Sequence, residues 1–193
     1  MILNDSQIKA LCHVETIDDR LLNPFVDHKV SEVDGTKVLS YGLSSFGYDI
    51  RLAPELKIFD HPFIHDHRDK CHTLDPHNVS SECLIEAKDM IIPENTSALG
   101  YSVEKFNMPK DLVGICIGKS TYARLGLIVN VTALEPGWRG ILTLELTNTT
   151  PIPIQLYANE GIAQILFHRG SIPLNTYEGG KYQDQTGITE AKL

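Results

Sequence analysis

Hydrophobic positions in this chain fall into short runs and not into long helical stripes. Tyr48 to Leu52, Leu112 to Ile117, Ile128 to Thr132, Ile141 to Leu146, Ile154 to Tyr157 and Ile162 to Phe167 are rich in Val, Ile, Leu, Thr and Tyr, which reads as strands. Pro136-Gly137 and Arg139-Gly140 precede one run, Asn148-Thr149-Thr150-Pro151 follows it, and Asn159-Glu160-Gly161 opens the last; tight turns select such residues. The pattern predicts a mainly β fold, a sandwich or barrel-like jelly roll, and not a βαβ sheet. One helix signal stands at the start, where Asn4-Asp5-Ser6 precedes Ile8, Leu11 and Cys12; it predicts a short capped helix ending between His13 and Glu15.

Two segments break the pattern. Residues 61–77 carry His61, His65, His67, His72 and His77 around Cys71 and read as a long hydrophilic surface loop, with Zn²⁺ or Ni²⁺ ligation by His65-Asp66-His67 and Cys71-His72 as the alternative. The tail, about 179–193, is Gly-rich, polar and weakly patterned, and is expected to be an arm that orders only on a ligand or a neighbouring subunit.

Composition narrows the class. A chain of 193 residues with 42% hydrophobic and 22% charged positions fits a single globular domain, 1–193, that folds without staples. A net charge of -8 excludes a general nucleic-acid or anionic-membrane surface, so an anionic ligand needs a local basic pocket. No basic-then-apolar leader and no run of membrane-spanning length occurs, so the cytoplasm is the expected compartment. Cys12, Cys71, Cys83 and Cys116 show no C-x-x-C spacing and are expected to be reduced thiols.

The candidate chemistry begins at Gly118-Lys119-Ser120-Thr121. A Walker motif needs a glycine where Val113 stands, and the preceding strand leaves no Gly-rich loop to wrap phosphates. What remains is a small glycine, two hydroxyl donors, and Lys119 and Arg124 as cations, a set suited to a triphosphate.

The run continues as Tyr122-Ala123-Arg124-Leu125-Gly126, then Val129-Asn130-Val131-Thr132-Ala133, Glu135-Pro136-Gly137-Trp138 and Thr143-Leu144-Glu145. Ser45-Phe46-Gly47-Tyr48-Asp49-Ile50-Arg51 lies upstream; Gly161-Ile162-Ala163-Gln164, Tyr177 and Gly180-Lys181-Tyr182-Gln183-Asp184-Gln185-Thr186-Gly187 lie downstream. These ordered blocks resemble the dCTP deaminases of the dCTP deaminase and trimeric dUTPase superfamily. The resemblance covers most of the chain and is weakest from Phe59 to Asp89.

It implies a homotrimer with the distorted jelly-roll or β-barrel fold of the trimeric dUTPases, converting dCTP to dUTP and ammonia. Phosphates are then held by Lys119, Ser120, Thr121 and Arg124 within the Lys119 to Arg124 segment, which includes Tyr122 and Ala123. Thr143, Leu144 and Glu145 face base and sugar, and Gln164, Tyr177, Lys181 and Gln185 are further contacts. Ala133 presents a carbonyl to the attacking water, and Ser120 serves phosphate or water. Mg²⁺ accompanies the triphosphate, and dTTP is implied as an inhibitor in the same pocket. The Asp49 and Arg51 charges, on alternating strand positions, suit catalysis or a subunit contact, and a structural or interface role is expected.

Hydrolytic deamination needs a water deprotonated, a ring nitrogen protonated and an amine expelled. Zinc deaminases combine H-x-E with P-C-x-x-C, a combination this sequence lacks, so no protein-bound zinc is expected and Glu145 is the expected general base and acid. Strand alternation puts Glu145 on the face of Ile141 and Thr143. Partial burial there raises a carboxyl pKa toward the working range.

Several positions depart from the family pattern. Lys119 replaces a common arginine, Thr121 a common serine, and the Ala133 to Trp138 turn is short. Glu135 stands where an aspartate prepares water for diphosphate release in dUTPases; its extra methylene displaces the carboxylate, which favours release of dUTP. A dUTP diphosphatase or bifunctional enzyme, and a non-catalytic nucleotide-binding regulator, are the alternatives.

Overall fold

The computed structural model describes residues 1–59, 84–87 and 89–192; the histidine-rich segment 61–77, with Cys71 and the nearby Cys83, lies outside them. Helix α1 (Asp5–Cys12) opens the chain. The Asn4 side chain accepts the Gln7 N–H and the Gln7 side chain accepts the Asn4 N–H, both at 3.1 Å, a reciprocal cap on two otherwise unpaired donors. Ile8 and Cys12 bury its inner face, and it stops at Cys12, just short of the expected end.

Thirteen strands follow among the described residues. They are β1 (Leu22–Asn23), β2 (Lys29–Val33), β3 (Thr36–Leu43), β4 (Tyr48–Arg51), β5 (Lys57–Phe59), β6 (Leu84–Glu86) and β7 (Ile91–Ile92). Then come β8 (Ser97–Asn107), β9 (Leu112–Gly118), β10 (Leu127–Asn130), β11 (Arg139–Asn148), β12 (Ile154–Gln155) and β13 (Gly161–Arg169), with a one-turn helix, α2 (Ser120–Arg124), between β9 and β10. One sheet runs β10-β11-β8-β5-β6 with β1 added beside β8, a second runs β2-β3-β4-β13-β9, and β12 pairs with β7. The ladders are antiparallel, as a jelly roll requires.

The core lies between the two large sheets. Leu142, Leu144 and Leu146 alternate inward from β11 at 6%, 0% and 0% exposure, and Tyr48, Ile50, Ile165 and Phe167 of β4 and β13 share the same buried cluster. Each such side chain contributes about 1.5–3 kcal/mol by leaving water. A bulge interrupts the β11–β8 register between Ile141 and Thr143. There the Ser102 hydroxyl accepts the Leu142 N–H at 3.0 Å and donates to the Glu104 carbonyl at 2.6 Å, so the displaced backbone stays paired.

One buried ion pair ties the sheets together. Arg51 of β4 donates from Nε at 2.8 Å and from its backbone N–H at 2.9 Å to the two carboxylate oxygens of Glu104 on β8. Glu104 is fully buried, and burial, opposed by Arg51, pushes its pKa up. Arg51 also stacks over the Tyr41 ring at 5.1 Å. This is the structural role expected for Arg51.

The predicted strands correspond to β4 and β9 to β13, with ends shifted by a few residues. Two prominent elements lie outside the predicted strands, β8 and the β2–β3 hairpin. The eleven-residue β8 reads SALGYSVEKFN, with Gly, Ser, Glu, Lys and Asn breaking any apolar run. Asp34-Gly35 closes the β2–β3 hairpin with both residues at positive φ, 49° and 78°, the signature of the tightest hairpin turn.

The C-terminal segment lies against its own chain. Trp138 Nε1 donates to the Tyr182 carbonyl at 2.9 Å and the Ile141 N–H to the Gln185 carbonyl at 2.8 Å. Lys57 pairs with Glu190 at 2.7 Å. Gly140 permits this approach: its φ is 149°, and a Cβ there would stand 2.8 Å from the Gln185 nitrogen. Hydrogen bonds along the β11 backbone hold the arm against the sheet.

Candidate active site

β9 runs directly into α2, so Lys119 sits at the helix boundary with its N–H bonded to the Ile162 carbonyl at 3.0 Å. Its ammonium lies 3.1 Å from Asp49 Oδ2, the two side chains being 14% and 7% exposed. Beside Asp49 on the next strand, Gln164 donates to Ser44 Oγ at 2.8 Å and to the Phe46 carbonyl at 3.2 Å. Lys119, Asp49 and Gln164 therefore form one end of the site, built from β4, β9 and β13 within a single chain.

Ser120, Thr121, Ala123 and Arg124 are exposed on α2. Arg124 donates to the Ser120 carbonyl at 3.2 Å and otherwise faces solvent. Tyr122 departs from the expected contact set. Its side chain is 3% exposed, its hydroxyl accepts the Tyr157 N–H at 3.3 Å, and burial pushes its pKa to about 12. Only its backbone is available to a ligand. Leu144 is likewise fully buried, so its side chain belongs to the core.

Glu145 projects from β11 opposite Asn130 of β10 and Leu99 of β8. In the single chain it is exposed by area, although burial raises its pKa against an opposing hydrogen bond to its own backbone. Crowding behind the carboxyl, and not enclosure, disfavours its charged form. Cys116 lies near enough for the glutamate charge to reinforce burial in raising its thiol pKa to about 12, which leaves the thiol protonated and inert. Thr143, on the same strand face, is 8% exposed because the arm covers it. Its hydroxyl donates to Gln185 Oε1 and accepts the Thr189 N–H, both at 3.1 Å.

The other expected contacts lie on the turn and the arm. Ala133 is exposed, while its neighbour Leu134 is clamped by reciprocal backbone bonds to Gly114 at 2.9 and 3.0 Å. The Tyr177 hydroxyl accepts the Tyr182 N–H at 3.3 Å, and Lys181 donates to the Lys192 carbonyl at 2.6 Å. Among the described residues no hydrogen bond or ion pair joins Glu145 to Ser120, Arg124 or Ala133. The same residues contain no group of three or more His, Cys, Asp or Glu arranged to hold a metal, and no helix long and apolar enough to cross a membrane. Sequence reasoning read Asp49 as structural or as a subunit contact and did not pair it with Lys119.

The antiparallel β fold thus carries a strand carboxylate, a hydroxyl-rich helical turn and a docked C-terminal arm. The family model for the dCTP deaminase-like domain matches residues 2–170. The chain belongs to that family. It is 45% identical over 193 residues to a dCTP deaminase of Orientia tsutsugamushi strain Boryong, covering 97% of both chains. It is 43% identical to a dCTP deaminase of Francisella tularensis subsp. novicida strain U112, covering 99% of this chain and 98% of that one. The fold is shared with a crystal structure of 2'-deoxycytidine 5'-triphosphate deaminase from Agrobacterium tumefaciens. The TM-score is 0.57 at 19% identity, over 88% of this chain and 49% of that one.

Proposed function

We propose that this protein hydrolyses dCTP to dUTP and ammonia, supplying a uracil nucleotide for thymidylate synthesis. The observation that carries this reading is Glu145: a strand carboxyl with a raised pKa, set beside a threonine hydroxyl already engaged by the arm. Ionised Glu145 takes a proton from water as its oxygen bonds to cytosine C4. Glu145 returns that proton to the ring nitrogen, giving a C4 adduct that bears hydroxyl and amine; it then carries the adduct's hydroxyl proton to the amine, the C4–N bond breaks as C4=O forms, and ammonia leaves. The Ala133 carbonyl orients the water, with the Ser120 hydroxyl aiding it or binding phosphate.

Ser120, Thr121, Arg124 and Lys119 hold the triphosphate, with Ala123 and the Tyr122 backbone shaping the turn. Mg²⁺ carried by the triphosphate substrate would offset phosphate charge that Lys119 and Arg124 leave unmatched. Thr143 and Leu144 backbone groups meet base and sugar, and Gln164, Tyr177, Lys181 and Gln185 complete the pocket.

A homotrimer in the cytoplasm is the proposed working form. Ile115 and Ile117 on β9, Leu125 after α2 and Ile128 on β10 are exposed at 39%, 49%, 55% and 53%, an apolar surface beside the site that another copy would cover. Such a partner would also enclose Glu145. dTTP is the proposed inhibitor.

The test is incubation of the pure protein with dCTP and Mg²⁺, assayed for ammonia, dUTP and pyrophosphate. Ammonia and dUTP without pyrophosphate are expected. Pyrophosphate would instead assign a diphosphatase or bifunctional activity, and tight binding without turnover would assign a regulator.

A further inference from the structure

Lys119 carries much of the phosphate reading, and its ammonium is held by a buried carboxylate. Its partner Asp49 sits on β4, in register with Gly42 on one side and Gln164 on the other, so three adjacent strands fix the carboxylate. Gly161 backs the lysine stem. A Cβ there would stand 3.1 Å from Lys119 Cε and 2.0 Å from the Ser40 carbonyl oxygen, so glycine keeps the slot open. A four-carbon stem samples many rotamers, and a buried carboxylate 3.1 Å from Nζ selects one of them.

Charge accounting points the same way. Asp49 and Lys119 offset one another, which leaves exposed Arg124 as the uncompensated cation of the motif. If net charge were all that mattered, Asp49 would oppose an anionic ligand and its removal would tighten binding. Its burial on a central strand argues for the opposite sign.

We propose that Asp49 is a positioning residue for the phosphate site, acting through Lys119: it holds the ammonium at the start of α2 so that an incoming triphosphate meets a cation already in place. This rests on the nucleotide reading above.

The experiment compares full-length wild type, Asp49→Asn, Lys119→Met and the double variant, measuring kcat, KM for dCTP with Mg²⁺, and melting temperature with and without dCTP. Asp49→Asn is expected to raise KM about tenfold, with kcat within about threefold, because ordering of the ammonium is lost. It is expected to cost nothing further in the Lys119→Met background, where no ammonium remains to be held. A lower KM for Asp49→Asn overturns the proposal, as does an equal penalty in both backgrounds or a reduced melting temperature with KM unchanged. If Lys119→Met does not fold, the dCTP-induced rise in melting temperature decides between wild type and Asp49→Asn: a smaller rise supports positioning, and an equal or larger rise overturns it. A wild type that neither binds nor turns over dCTP overturns the nucleotide reading itself. Normal wild-type turnover with an indifferent Asp49→Asn overturns this proposal alone.

Discussion

The two ends of the site are built differently. At the proposed phosphate end, Lys119, Asp49 and Gln164 are pinned by three strands of one sheet, with partners at 2.8 to 3.2 Å. At the proposed base end, Glu145 stands on the other sheet, exposed in the single chain, with a pKa raised by burial. The contrast follows from what each end must do. A cation for phosphate gains from being fixed before the ligand arrives, since ordering it later costs affinity. A proton-transferring carboxylate needs an open face for water and substrate, and acquires its dry surroundings only when a ligand, the arm or a second copy covers it.

Removing the carboxylate gives the largest expected effect. Glu145→Gln should lower kcat roughly a thousandfold by deleting the general base. Its melting temperature should stay within about a degree or two, because exposed substitutions are nearly neutral to stability. The wild-type pH profile tests the same group. A base must be ionised, and its pKa is raised, so the rate should fall on the acid side at a higher pH than for an ordinary glutamate of about 4.3. A Glu145→Gln enzyme with wild-type kcat would move the chemistry elsewhere.

Next comes the rigid side. Arg51→Ala leaves Glu104 buried without its donor, a change that costs about 3–5 kcal/mol. That should lower the melting temperature by roughly 10 °C for a chain of this size. Glu104 already titrates high because burial outweighs Arg51. A carboxyl with a raised folded pKa loses stability as pH rises through that pKa, so the deficit should shrink in acid, where Glu104 protonates. Since Asp49 shares β4 with Arg51, KM should rise along with the loss of stability. Unchanged melting would separate the sheet junction from the site.

Much of this was legible in the sequence, for identifiable reasons. Leu142, Leu144 and Leu146 alternate cleanly with Thr143 and Glu145, so β11 and its two faces could be read from periodicity. Asn4, Asp5 and Ser6 announced α1 because capping is a local interaction. β8 was hidden because it is central: Ser102 fills a bulge and Glu104 answers Arg51 from 53 residues away, and no local pattern encodes either. Tyr122 lies within the phosphate motif yet points into the core, because one turn of helix sends alternate residues of the motif in different directions. Asp49 was visible as a charge but not as a partner. Its pairing with Lys119 depends on the order β4-β13-β9, which sequence spacing does not reveal.

The smallest expected effect concerns the arm, which spans both ends of the comparison. Its residues cover Thr143 beside Glu145 through Gln185 and Thr189, while its exposed ion pairs, such as Arg139 with Asp184 at 3.1 Å, are spread along the surface. Water screens exposed pairs of this kind, so ending the chain after Glu178 should change the melting temperature little. The same truncation removes Lys181 and Gln185 and uncovers the Thr143 hydroxyl, and should raise KM for dCTP about tenfold while lowering kcat less, as loss of a covering segment does. Gly140→Ala is the gentler version: its φ of 149° and the Gln185 nitrogen 2.8 Å from the added Cβ should loosen the arm without shortening it. If the truncated chain kept both constants, the arm would be a surface strap, and the dry surroundings of Glu145 would have to come wholly from a neighbouring copy.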